Sequence, residues 1–162
     1  MNDPISATQV TIEHVTLRSP KSFEAVRSAL EASVPRLDHA YAELLLDGQV
    51  DAARDLLERQ APLSIFGARD HGGLLRTAGL VRKAVQYDIG NPLTAARMTR
   101  HVLSAALYAP VRVLLREDAE GRVAFEYDRP ATTFGQFGNP EVDGVARDLD
   151  EQLRCVLAAA AA

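Results

Sequence analysis

Residues 111–128, VRVLLREDAEGRVAFEYD, read as two strands and the turn between them. Val111, Val113 and Leu115 alternate with Arg112 and Arg116, while Val123, Phe125 and Tyr127 alternate with Arg122, Glu126 and Asp128. Such alternation sends the apolar set to one face of a pleated strand and the charged set to the other. The polar, glycine-containing segment Glu117–Gly121 then closes an antiparallel hairpin. A sheet with one apolar face must bury it, so helices are required elsewhere in the chain.

Working outward, Lys83–Ile89 (KAVQYDI) alternates in the same way, and Leu63–Arg69 (LSIFGAR) is a short apolar run bounded by breaks. Gln9–Leu17 is the first strand by the same reading. Between the strands the spacing changes to three and four. Ser19-Pro20 opens a helix carrying Phe23, Val26, Leu30 and Val34, and Leu37–Gln60 forms a helical hairpin broken at Asp47-Gly48. Asp70 caps a short helix ending at Gly79. Asn91-Pro92 starts a helix running to about Tyr108, TTFGQFG is a loop, and Asn139-Pro140 starts the last helix, whose AAAAA end frays. The chain is therefore α+β, a single domain over 1–162. Its sheet is expected to be mixed but mostly antiparallel, five-stranded, with helices packed on one face.

With 162 residues, 47% hydrophobic and 25% charged, the chain is long enough to bury a core without staples. A single cysteine, Cys155, excludes a disulfide framework and favours a reducing, cytoplasmic compartment; its place beside an apolar stripe makes it a small core residue. No apolar run spans a bilayer, MNDPISATQV lacks the pattern of a secretory leader, and a net charge of −4 without a basic cluster argues against nucleic acid.

Three places carry candidate chemistry. Asp70-His71-Gly72-Gly73 sets an acid beside an imidazole with glycines that admit a ligand, although neighbouring side chains in an extended segment diverge, and capping alone explains Asp70. Gly90-Asn91-Pro92 is a strand-to-helix junction suited to an anion, or simply a cap. Met98 and His101, three apart with Arg97 and Arg100 nearby, have the composition of a haem site, against the plainer reading of Met98 as core filler. The four histidines His14, His39, His71 and His101 lie in different elements, so no metal motif is spelled out, and no nucleophile elbow is present.

The order of these motifs is informative: FGARDHGGLLRTAGL, a strand ending in IGNP, an Ala/Leu-rich helix, then YAPVRVLLREDAEGRVAFEYDRP and a closing helix. Over residues 9–157 it resembles the domain-of-unknown-function family number 302. The matching positions are Asp70, His71, Gly90, Asn91, Pro92, Pro110 and Gly121. The chain departs from that family in having Ala109 before Pro110 and in residues 37–60, which look like a helical insertion. The resemblance implies a compact α+β fold, a homodimer, and no settled biochemical activity. The expectation that follows is a small-ligand-binding or sensing domain whose cleft gathers Asp70, His71 and Asn91, with Tyr87 or Tyr127. An enzyme using His71 as general acid or base, and a purely structural module, are the alternatives. The cofactor is unknown.

Overall fold

The computed structural model describes residues 4–162, so the first three residues of the segment read for a leader lie outside the described residues. Five strands, β1 (His14–Ser19), β2 (Ser64–Asp70), β3 (Lys83–Gly90), β4 (Val111–Glu117) and β5 (Val123–Asp128), form one sheet in the order β1-β5-β4-β3-β2. All four ladders are antiparallel. The chain thus lays down β2 to β5 as a meander and brings β1 back to the free side of β5. A single parallel bridge from Arg36 to Ile65 covers part of the β2 edge.

The hairpin that decides the fold forms as its alternation requires. Val113, Leu115, Phe125 and Tyr127 are buried on one face with Val85, Tyr87 and Ile89 from β3. Helices α1 (Phe23–Ser33) and α7 (Pro140–Ala161) cover this face, joined by α5 (Pro92–Thr99). Phe23, Val26, Leu30 and Val34 form the buried stripe of α1, as their spacing predicts, and Val142, Val145, Leu149, Leu153 and Leu157 form that of α7. Helices α2 (Ala40–Leu46) and α3 (Val50–Glu58) make the expected hairpin, turning at Gly48 with φ +74°. No helix is long and apolar enough to cross a membrane, among the described residues.

The opposite face of the sheet is charged. Arg69 makes a two-pronged bond to Asp88 at 3.1 and 2.7 Å, Arg116 bonds Glu126, and His14 lies between Glu126 at 3.6 Å and Asp128 at 3.3 Å. These pairs span neighbouring strands, so charge complementarity reinforces the register of a face that has no helix to lock it.

Five boundaries differ from the sequence reading. β1 begins at His14 rather than Gln9: its partner β5 ends at Asp128, and beyond it a single backbone bond, from Arg129 N to the Glu13 carbonyl at 2.8 Å, carries the pairing before the chain turns into α6. The first helix starts at Phe23, capped by Ser22, whose side chain accepts from Ala25 N. Ser19 instead donates its hydroxyl to the Ala161 carbonyl at 2.6 Å. That bond and the burial of Ala160 and Ala161 order the C-terminal alanines, which therefore do not fray. The helix after Asn91 stops at Thr99: Val102 is extended and the chain re-forms as a 3-10 turn over Leu103–Tyr108, placing Ala105 in the core. Thr99, His101 and Val102 are weak helix formers, so little resists the break. Finally, part of the expected loop is helical, α6 (Pro130–Gly135), held by Thr132 and Thr133 hydroxyls donating to the Arg129 carbonyl and by burial of Phe134.

Candidate functional site

The two motif-bearing turns do not share a rim. In the β2–β3 ladder Asp70 pairs with Val85, whereas Gly90 pairs with Ser64. Asn91, which follows Gly90, is therefore six residues along β3 from the level of Asp70, roughly 20 Å at the rise of an extended strand. The expected common cleft assumed that both turns leave the same end of the sheet. Antiparallel pairing puts them at opposite ends, and the expectation is corrected on that ground.

At the first end, Asp70 Oδ1 accepts from Gly73 N at 2.8 Å and caps α4 (His71–Leu74). The carboxylate is thus committed to the backbone and does not orient His71, which is exposed. The glycines have a packing reason. A Cβ on Gly72 would overlap the Arg82 carbonyl and lie 2.8 Å from the Ala84 amide nitrogen, and one on Gly73 would overlap the Asp70 carboxylate. This turn is packed solid against the start of β3.

At the other end, Asn91 caps α5. Its Oδ1 accepts from Leu93 N at 2.8 Å and Thr94 N at 3.2 Å, and its Nδ2 donates to the Pro62 carbonyl at 3.1 Å. The early amides of the helix are thus supplied by the protein itself, which removes the basis for an anion held by them. Here, however, the surface is hollow. A cleft is lined by Asn91, Phe66, Thr94, Ala95, Met98, Pro110 and Leu149, among others, and its lining is largely apolar. A second, more polar cleft adjoins it and is lined by Tyr108, Arg112, Asp128, Thr133 and Phe134, among others. Pro110 and Val111 border both.

The charged groups of the second cleft differ in how they are engaged. Asp128 is bonded to His14 at 3.3 Å, the Thr133 hydroxyl donates to the Arg129 carbonyl at 3.1 Å, and the Tyr108 hydroxyl reaches Gln136 at 3.4 Å. Arg112 is exposed and its guanidinium has no hydrogen-bond or ion-pair partner among the described residues.

Tyr87 and Tyr127 lie elsewhere, on the helix-covered face, and are buried. The Tyr87 hydroxyl donates to Glu31 Oε1 at 2.8 Å, and burial, aided by that carboxylate, pushes its phenol far above the ordinary range. Burial acts to raise Glu31 as well, but the bonds from Tyr87 and Arg27 outweigh it and hold the carboxyl below its usual value. Tyr127 is raised chiefly by burial, then by the charge of Asp150. Neither ring borders the two clefts.

Met98 is buried at the apolar cleft, whereas His101 lies beyond the end of α5 and is exposed, so the two do not form one helical face as their spacing suggested. Among the described residues no group of three or more His, Cys, Asp or Glu side chains is placed to hold a metal ion. Cys155 is not a core residue. It is exposed and borders a groove with Val34, Pro62 and Val156, because α7 turns that side away from the sheet. Of the residues lining these clefts, sequence reasoning named Asn91, Met98 and, as a position matching the family, Pro110, but passed over Phe66 and Arg112. Had the strands been taken as antiparallel throughout, the start of β4 would have fallen beside Gly90, and Arg112 with it.

Residues 45–160 match the family model described as "Domain of unknown function DUF302". That span takes in α3 and every strand except β1. Among solved structures, the crystal structure of the uncharacterized conserved protein DUF302 from Bacillus stearothermophilus superposes with a TM-score of 0.66 at 17% sequence identity. The alignment covers 91% of this chain and 97% of that one, a likeness of fold. None of the curated proteins matches.

Proposed function

The chain belongs to the DUF302 family, and from that premise we propose that it is a small-ligand-binding domain whose site is the pair of clefts meeting at Pro110. One observation carries this reading: at a single end of the sheet, an apolar hollow and a polar one adjoin, with Asn91 on the rim. Pockets that hold small molecules combine apolar walls with a few placed polar groups, and this pair has that composition. His71, at the far end, has no part in it.

The functional unit in this reading is a homodimer. Leu103 and Leu107 on the 3-10 turn support it, being 80% and 78% exposed, with Leu107 at the polar cleft, where a second subunit would cover them. An equilibrium sedimentation mass near 17.6 kDa would refute the dimer.

A thermal-shift screen of small metabolites tests the binding proposal. A ligand of the native state adds RT ln(1 + [L]/Kd) to the stability and so raises the midpoint, and the rise should vanish in Ala95→Leu, which fills the apolar hollow. A hit whose shift survives that substitution places binding elsewhere. A screen without hits leaves the chain a packing module.

A further inference from the structure

We infer that the ligand is a small monocarboxylic acid with an apolar body, its carboxylate held by Arg112 and its hydrocarbon part lying in the hollow floored by Met98. The inference deepens the binding proposal and rests on it. Arg112 stands on β4 with an acid on either side. Asp88 is its ladder partner on β3, and Asp128 shares the polar cleft with it. Both acids are already engaged, Asp88 by Arg69 at 2.7 Å and Asp128 by His14 at 3.3 Å. Arg112 is left as the cation lining either cleft, and it has no partner within the described residues. A planar guanidinium with free donors accepts a carboxylate in two parallel bonds.

The other half of the specificity comes from the adjoining hollow. Phe66, Ala95, Met98 and Leu149 present hydrocarbon and sulfur, and the amide of Asn91 is spent on the helix cap and the Pro62 carbonyl. Among the lining side chains only the Thr94 hydroxyl is left to replace the water of a highly polar or polyanionic ligand. A chain of a few carbons gains there, at about 0.8 kcal/mol for each methylene buried. Since Pro110 and Val111 border both clefts, one molecule can engage the cation and the hollow together.

The test is calorimetric titration of the full chain with hexanoate and with hexanamide, which share a shape but not a charge. Hexanoate is expected to bind about tenfold more tightly, the loss of one charge-assisted bond pair. In Arg112→Gln, whose wild-type side chain supports nothing else, that preference should fall to about threefold or less. In Ala95→Leu the affinity for hexanoate should fall while acetate is unaffected. Arg18→Gln, on the same sheet face but outside both clefts, should change neither. Equal binding of the two probes, or a preference that survives Arg112→Gln, overturns the carboxylate inference and leaves the cleft reading standing. Hexanoate binding that is indifferent to Ala95→Leu overturns the placement of the chain. Absence of binding by both probes at millimolar concentration overturns the inference, and only an empty metabolite screen would then remove the binding proposal with it.

Discussion

The turns at Asp70–Gly73 and Gly90–Pro92 were built by the same rules and came to different ends. Each closes a strand, each caps a helix with a side-chain oxygen, and each uses glycine at a crowded place. In the first, Gly72 is crowded by backbone and Gly73 by the capping carboxylate of Asp70, and no space is left. In the second, the neighbours of glycine are the Pro110 and Phe66 side chains, at 3.3 and 3.6 Å from where a Cβ would sit, and a hollow opens beside them. A polar, glycine-bearing turn is therefore no evidence of a site by itself. What decides is whether its glycine admits the protein's own chain or leaves room for something else.

The sharpest way to break this contrast is Gly72→Ala. The new methyl would meet the Arg82 carbonyl and the Ala84 amide, neither of which can rotate away. A loss of about 3 kcal/mol is expected, at the upper end of overpacking costs because backbone must move. It should appear as a lower urea midpoint at unchanged m-value. A variant as stable as the parent would mean that α4 is not held against β3 as described.

Next in size is Asn91→Ala, set beside Asp70→Ala. Asn91 serves two helix amides and the Pro62 carbonyl, whereas Asp70 serves Gly73 alone. Asn91→Ala should cost about 2 kcal/mol and Asp70→Ala about 1 kcal/mol, each within the range for a lost cap. The reverse order would show that Asp70 does more than cap.

Tyr87→Phe calibrates both turns, because the tyrosine sits between them on β3 and touches neither. Removing its bond to Glu31 should cost about 1 kcal/mol at neutral pH. The phenol is held above its ordinary value in the folded chain, chiefly by burial, so the folded state keeps its proton where the unfolded state has lost it. Its contribution is present in full below about pH 10 and falls as pH rises toward the folded pKa. The stability gap between parent and variant should therefore narrow in alkaline denaturation curves. A gap independent of pH would count against the raised phenol, and a gap near zero at neutral pH against the hydrogen bond.

The fold was legible because its signals are local and redundant. The alternation in 111–128, the stripes of α1 and α7, and the Asn-Pro starts at 91 and 139 each act over a few residues. The site was not, because it depends on strand direction. Whether Asp70 and Asn91 share a rim is decided by the β2–β3 register, and nothing within either turn encodes that. The same holds for Arg112. Its isolation is a statement about Arg69 and His14, which take the neighbouring acids and lie 43 and 98 residues away in sequence. Helix α6 was missed for a related reason: the Thr132 and Thr133 bonds that hold it compete with helix in most contexts, and burial of Phe134 tips the balance.

The smallest effect expected is also the one that most finely separates the two turns. Gly90→Ala puts its methyl 3.3 Å from the Pro110 Cβ and 3.6 Å from both the Pro110 Cα and the Phe66 ring, contacts to residues that border open space and looser than those at Gly72. The Phe66 contact is ordinary and its ring can shift toward the hollow, while Pro110 has to give by only a few tenths of an ångström, so the stability change should be within about 0.5 kcal/mol, the scale of a tolerated substitution. Its consequence should fall on binding instead, because the ring and the methyl both take up volume a ligand would use. Hexanoate affinity should drop while the urea midpoint stays in place. A large loss of stability would mean that Gly90 is packed as tightly as Gly72, and the distinction between the two ends of the hairpin would collapse.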